Sequence, residues 1–237
     1  MSVFVLSDLH LSHSSDKPMD IFGPQWENHT KKIFDNWQNT VDENDTVIIP
    51  GDISWGMNFG NTYEDLMFIE KLNGTKIIGK GNHDYWWQTQ KKLNDFLHEK
   101  EIKSIKFLYN NAFRSENFIV CGTRSWFVES TYSPEDEKIV NREAQRLMLS
   151  LSAANALHQK AQDSEILMFL HYPPAYNGLV CEKIADVIIH SGVTRCFYGH
   201  LHSVVPSLLT SKLDEVQLYC VSADYIGFKP MKIIQKG

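Results

Sequence analysis

Four cysteines in 237 residues leave little scope for disulfides or thiolate metal sites. Cys121, Cys181, Cys196 and Cys220 form no CxxC pair, which argues against a structural zinc site. Cys121, Cys196 and Cys220 lie inside apolar runs and read as buried core thiols. With no sign of secretion, disulfides are not expected. Long hydrophobic runs are also missing, and nothing approaches the roughly 20 apolar residues of a membrane span. Positive charge is in deficit: 23 Lys and Arg stand against 29 Asp and Glu, a net charge of −6. That gives no general basic surface for gripping a nucleic-acid backbone, though bound metals would still attract anions. The opening segment reaches Asp8 too soon for a signal peptide and has no basic leader. Repeats, low-complexity segments and a domain linker are absent too. The expectation is a cytoplasmic protein of one domain, residues 1–237, with no membrane or nucleic-acid partner.

What the sequence does hold is a set of apolar runs, each ending in a short polar cluster. Residues 3–7 lead to Asp8 and His10, and residues 46–50 lead to Gly51-Asp52. Residues 75–79 lead to Gly81-Asn82-His83-Asp84. Residues 166–170 lead to His171, and 195–198 to Gly199-His200-Leu201-His202. Continuous apolar runs are the mark of parallel strands buried on both faces, and open α/β sheets bind ligands at strand carboxyl ends. Helical stretches alternate with these strands over 27–41, 62–72 (with Thr62 as cap) and 86–99. The alternation predicts parallel strands joined by right-handed crossovers. Residues 105–108 and 118–122 read as short strands around a polar stretch, 109–117. Ser133-Pro134-Glu135 then opens the longest helix, to about Gln162. A helix over 181–191 and closing strands over 216–221 and 231–235 complete the pattern.

The polar clusters carry metal chemistry. Asp8 and His10 lie two apart, as do His200 and His202, so in an extended chain each pair points to one side. Nitrogen with carboxylate oxygen suits Mn²⁺, Fe²⁺ or Zn²⁺ better than Mg²⁺ or Ca²⁺. Asp8, His10, Asp52, Asn82, His171, His200 and His202 are too many donors for one tetrahedral ion. Two ions sharing a carboxylate account for them, and such a pair can clamp the two oxygens of a phosphoryl displacement. His83 stands apart as a proton donor to a leaving oxygen, with Asp84 expected to orient its imidazole.

Asp-x-His, Gly-Asp, Gly-Asn-His-Asp, a lone His and Gly-His-x-His, in that order over residues 8–202, resemble the calcineurin-like metallophosphoesterase superfamily. The resemblance implies an α/β protein, a four-layer α/β/β/α sandwich whose two mixed sheets pack face to face. It implies one ion on Asp8, His10 and His202, another on Asn82, His171 and His200, and Asp52 bridging them. His83 would be general acid or transition-state stabiliser, with Asp84 behind it and a metal-bound hydroxide as in-line nucleophile. Mn is the favoured metal, with Fe, Zn, Ni or Co as alternatives. Two departures narrow the family. Gly51-Asp52-Ile53-Ser54-Trp55-Gly56 lacks the Arg of the protein Ser/Thr phosphatases, and Trp55 replaces the Tyr ligand of purple acid phosphatases. The pattern is closer to the bacterial phosphohydrolase and phosphodiesterase group.

The strand-end loops supply Trp55, Asn58, Phe59, Tyr85, Trp86, Tyr172 and Tyr176 as candidates for stacking on a small phosphorylated substrate. Arg124 is a candidate phosphate contact, with a surface salt bridge as the bland alternative. His13 reads as part of a solvated loop. His29, His98, His158 and His190 fall in helical stretches and read as incidental. Monoesterase and diesterase activity both fit, while a non-catalytic scaffold of the same fold and a nuclease are the competing readings.

Overall fold

A computed structural model describes residues 1–235. The first half runs β1 (Val3–Val5), α1 (His29–Gln38), β2 (Thr46–Ile49), α2 (Phe59–Glu70), β3 (Thr75–Ile78), α3 (Gln90–Glu99) and β4 (Ile105–Phe107). The second half continues with β5 (Phe113–Ser115), β6 (Phe118–Thr123), α4 (Pro134–His158), β7 (Glu165–Leu170), β8 (Ala175–Tyr176) and β9 (Leu179–Val180). It closes with α5 (Glu182–Ile189), β10 (Arg195–Tyr198), β11 (Lys212–Leu213), β12 (Val216–Cys220) and β13 (Met231–Ile233).

Two mixed sheets result. One has the order β13-β1-β2-β3-β4, parallel except for β13. The other has the order β11-β12-β10-β7-β6-β5, parallel inside with an antiparallel strand at each edge. Side-chain alternation divides the core into three apolar layers. Val3, Val5, Ile48, Ile77, Val120, Leu167, Phe169 and Phe197 meet between the sheets. Phe4, Val47, Ile49 and Ile78 face α1, α2 and α3 instead. Ile119, Cys121, Met168, Leu170, Cys196 and Tyr198 face α4 and α5. The order is helices, sheet, sheet, helices, as the resemblance implied. Phe169 and Phe197 stack between the sheets with centroids 5.1 Å apart, and truncating either would cost about 3–5 kcal/mol.

Several local expectations need correction. Thr62 does not cap α2. Asn58 does, its Oδ1 accepting from the Asn61 amide at 3.1 Å, and Thr62 lies buried one turn inside. Nor does α3 begin at Trp86: Thr89 caps it, and Trp86 and Trp87 pack into the core before it starts. The polar stretch after β4 contains β5, which forms a hairpin with β6. Ser133 does cap α4, in a reciprocal capping box with Asp136, but the helix ends at His158. All four cysteines are buried, and burial pushes the Cys121 thiol up to about 12. Among the described residues, no helix is long and apolar enough to cross a membrane.

Candidate metal centre

The sheets meet at the carboxyl ends of their parallel strands. Ser7, just past β1, donates its amide to Val221 at 2.9 Å and accepts from Ala223 at 2.9 Å, stitching one sheet to the other. The segments after β1 and β2 then run side by side: the amide of Asp8 donates to Gly51 O, that of His10 to Asp52 O, and that of Leu11 to Ile53 O. They do not continue as flat strands. Asp8, His10 and Asp52 have φ of 61°, 45° and 51°, and His200 has 70°. Left-handed backbone at four non-glycine positions is local strain, which clusters at functional sites. Two glycines of the motifs permit the crowding: a Cβ on Gly81 would overlap the Asp52 carboxylate and amide, and one on Gly199 the side chains of Asp8 and Ser7.

Two groups of donors face each other across this junction. Asp8, His10 and His202 form one; Asp52, His171 and His200 form the other. The Nε2 atoms of His10 and His202 are 3.1 Å apart. Asn82 Oδ1 lies 2.7 Å from His171 Nε2 and 2.9 Å from His200 Nδ1, completing the second group. One oxygen, Asp52 Oδ2, stands between them, 3.6 Å from His10 Nε2 and 3.5 Å from His171 Nε2. The other oxygen, Oδ1, accepts the His83 amide at 2.8 Å, which fixes the carboxylate. The two-residue spacing of His200 and His202 therefore does not place them on one ion, because left-handed His200 turns its ring to the other group.

The donor chemistry fits divalent ions. Burial holds the imidazoles of His10 and His171 well below their usual range, and brings His200 down to about 4, with neighbouring histidines adding to each shift. Neutral imidazoles are what metal ligation requires. Burial pushes Asp8 up to about 6; it pushes Asp52 well up as well, helped by the charges of Asp8 and Asp84. Buried carboxylates of this kind are completed by a cation. Donor atoms about 3 Å apart match the edges of a polyhedron around an ion roughly 2.0–2.2 Å from each.

His83 is half-buried, its ring 4.3 Å from Trp55 and 5.7 Å from His10. Burial lowers its pKa, and His202 and Lys17 lower it further. Asp84 does not orient it. The Asp84 carboxylate is fully buried and accepts the amides of Asp52, Ile53, Ser54 and Gly81 and the Trp86 indole N–H. It is the knot that holds the Asp52 and Asn82 loops together, and His83 Nδ1 has no hydrogen-bond partner. The carboxylate that does orient a histidine is Asp224, which acts on His202 and which no sequence motif marks. Its Oδ1 lies 2.9 Å from His202 Nδ1, and its Oδ2 accepts the Ser203 amide at 2.8 Å. Burial lowers the His202 pKa, but Asp224 and Asp8 outweigh it and the net shift is upward.

The substrate candidates divide. Trp55 stacks on His10, centroids 5.1 Å apart and 25° between planes, and walls the site. Tyr85 is exposed, 6.2 Å from His83. Tyr172 is buried behind His200 at 4.1 Å, supporting the ring. Arg124 lies 3.8 Å from the buried carboxylate of Glu143 and 5.0 Å from the Trp126 ring, and its Nε has no partner. Phe59 stacks on Phe96, and Trp86 is in the core, so neither faces the centre. Tyr176 sits in the β8–β9 hairpin. His13 is exposed but tied to Asp65 at 2.7 Å, and His29 lies against the His10 carbonyl at 3.3 Å.

A sequence model described as calcineurin-like phosphoesterase matches residues 1–204. The chain belongs to this family. Its members' metal-dependent phosphoester hydrolysis accords with the two donor groups. A phosphopantetheinyl hydrolase from Mycobacterium tuberculosis superposes with a TM-score of 0.55 at 12% identity, over 99% of this chain and 96% of that one. A protein of unknown function from Aquifex aeolicus gives 0.54 at 15% identity, covering 98% and 95%. A Thermus thermophilus protein gives 0.56 at 10%, covering 98% and 97%. These likenesses show the shared fold. An uncharacterised protein of Methanocaldococcus jannaschii is 29% identical over 87 residues, 35% of this chain and 46% of that protein. The chain thus matches about half the length of that curated relative.

Proposed function

We propose that this protein hydrolyses a small phosphate ester in the cytoplasm, using two divalent ions, with Mn favoured and residues 1–237 acting as one domain. The observation that carries the reading is the place of Asp52 Oδ2, between the His10–His202 and the His171–Asn82–His200 groups. Bound there, divalent ions would supply Lewis-acid stabilisation of a phosphoryl group and activate water for attack. Asp8, His10 and His202 would hold one and Asn82, His171 and His200 the other, with Asp52 shared.

The chain's own side chains do the rest. Trp55 and Trp26 shield the His10 and His202 rings from solvent. Asp224 keeps His202 Nε2 turned inward. His83 stands half-buried at the rim beside Trp55 and His10, and we assign it the proton given to the departing oxygen. Arg124 offers its guanidinium to an anionic part of the substrate. The test is hydrolysis of p-nitrophenyl phosphate and bis-p-nitrophenyl phosphate by metal-stripped protein resupplied with Mn²⁺. Turnover that needs added metal is expected, and the faster ester tells phosphatase from phosphodiesterase. Inactivity toward both, in protein shown to hold two ions, would favour the scaffold reading.

A further inference from the structure

Beside the His10–His202 half of the centre lies a cavity of about 240 Å³. Its walls are Met19, Phe22, Trp26 and Trp55, and its floor is His10, His83 and His202, with Ser203 at the edge. No carboxylate and no lysine or arginine lines it. Met19 and Trp26 are buried, while Phe22 is 55% exposed at the mouth. The segment carrying Met19 and Phe22 is held in place at several points. The Trp55 indole N–H meets Met19 Sδ at 3.3 Å, Trp26 packs edge-on against His10 and His202, and Gln25 donates to Ser203 Oγ at 3.2 Å. The cavity is thus built from a loop pinned to the metal centre.

We propose that this cavity receives a single flat aromatic ring carried on the substrate's phosphoryl group. The inference rests on the phosphoesterase reading above and names the class of ester it acts on. Three features argue for it. The volume falls below the roughly 300–1,000 Å³ of pockets for drug-sized ligands, so it suits one ring system and not a long chain or a dinucleotide. A cationic group placed there would meet no carboxylate on the walls, and Lys17, 5.3 Å over the Trp55 ring, would repel it. The walls are themselves rings and a thioether, with Trp55 already stacked on His10, and the remaining edges of Trp26, Phe22 and Met19 favour an aromatic guest by edge and sulfur–ring contact. Because His10, His83 and His202 form the floor, the guest sits within a bond or two of the phosphorus.

Non-hydrolysable phosphonates test this without turnover. Phenylphosphonate, cyclohexylphosphonate and methylphosphonate would be bound to the Mn²⁺-loaded protein and followed by calorimetry. Phenylphosphonate is expected to bind at least about tenfold more tightly than methylphosphonate, with the cyclohexyl compound between them. In Phe22→Ala the preference for phenyl over methyl shrinks, and in Ser203→Phe, which fills the cavity, it disappears. Equal binding of phenyl and methyl compounds by the unaltered protein would overturn the pocket while leaving the phosphoesterase reading intact. Cyclohexyl binding as tight as phenyl would overturn the claim of an aromatic guest. Failure of all three to bind would overturn both readings.

Discussion

The two flanks of the metal centre differ in kind. The His10–His202 flank opens on rings and a thioether, with no carboxylate on its walls and a single lysine, Lys17, over the Trp55 ring. The His171–Asn82 flank borders Lys80, Arg124 and Arg146, gathered around the buried Glu143. Burial pushes the Lys80 ammonium down, and Arg124 and Arg146 add to the shift. With Arg142, 3.7 Å from the same carboxylate, four cations surround one buried Glu and leave an excess of positive charge there. The donors between the flanks come from both sheets, and they are what the family motifs encode. Apart from the motif histidines, the walls of the flanks come from loops and from α4.

The largest effect is expected at His83, on the floor of the aromatic flank. His83→Ala should lower kcat by about 10²–10⁴-fold while metal content stays unchanged, measured by steady-state kinetics beside elemental analysis. Unchanged turnover would remove its assigned role. Asp224→Asn sharpens the comparison within the centre. It should weaken metal binding about 10–100-fold on the His202 side only, read by chelator competition. Equal loss at both sites would show that the two halves are not separate. Arg124→Gln bears on the cationic flank and should raise KM about tenfold with a smaller change in kcat. An unaltered KM would reduce Arg124 to a partner of Glu143.

The smallest effect is the pH dependence of metal loading. Below about 6 the Asp8 carboxyl is protonated, and the proton must leave before an ion binds. His200, held near 4, is already neutral through that range and adds its own penalty only below it. His202, shifted upward by Asp224 and Asp8, takes up its proton before Asp8 does. Affinity for Mn²⁺ should therefore begin to fall above pH 6 and fall further through it, by about tenfold per pH unit for each proton displaced. Calorimetry in buffers of different ionisation heat would show the released protons.

The donors were legible because the parallel strands are buried on both faces. Their apolar runs stop abruptly, and the next polar residues must lie at the carboxyl edge. Other features were hidden for physical reasons. Asp224 meets His202 because β10 and β12 pair in parallel and both chains leave the sheet at the same edge, a contact no local pattern announces. Asp84 sits beside His83 in sequence, but its carboxylate turns inward to four backbone amides, an arrangement that side-chain chemistry alone does not suggest. The hairpins of β5 and β8 are too short for a period to show. Met19 and Phe22 lie in residues 11–24, where Ser, Asp, Pro and Gly predict a loop near the site and no periodicity shows what its apolar side chains enclose.

The most direct test of the account is a metal titration followed by activity. Stripped protein would receive Mn²⁺ in steps while hydrolysis of the better p-nitrophenyl ester is recorded and bound metal is counted. Activity should be absent at the start and reach its plateau at two ions per chain, with Asp52→Asn losing the plateau. Full activity in the presence of excess chelator would contradict the account.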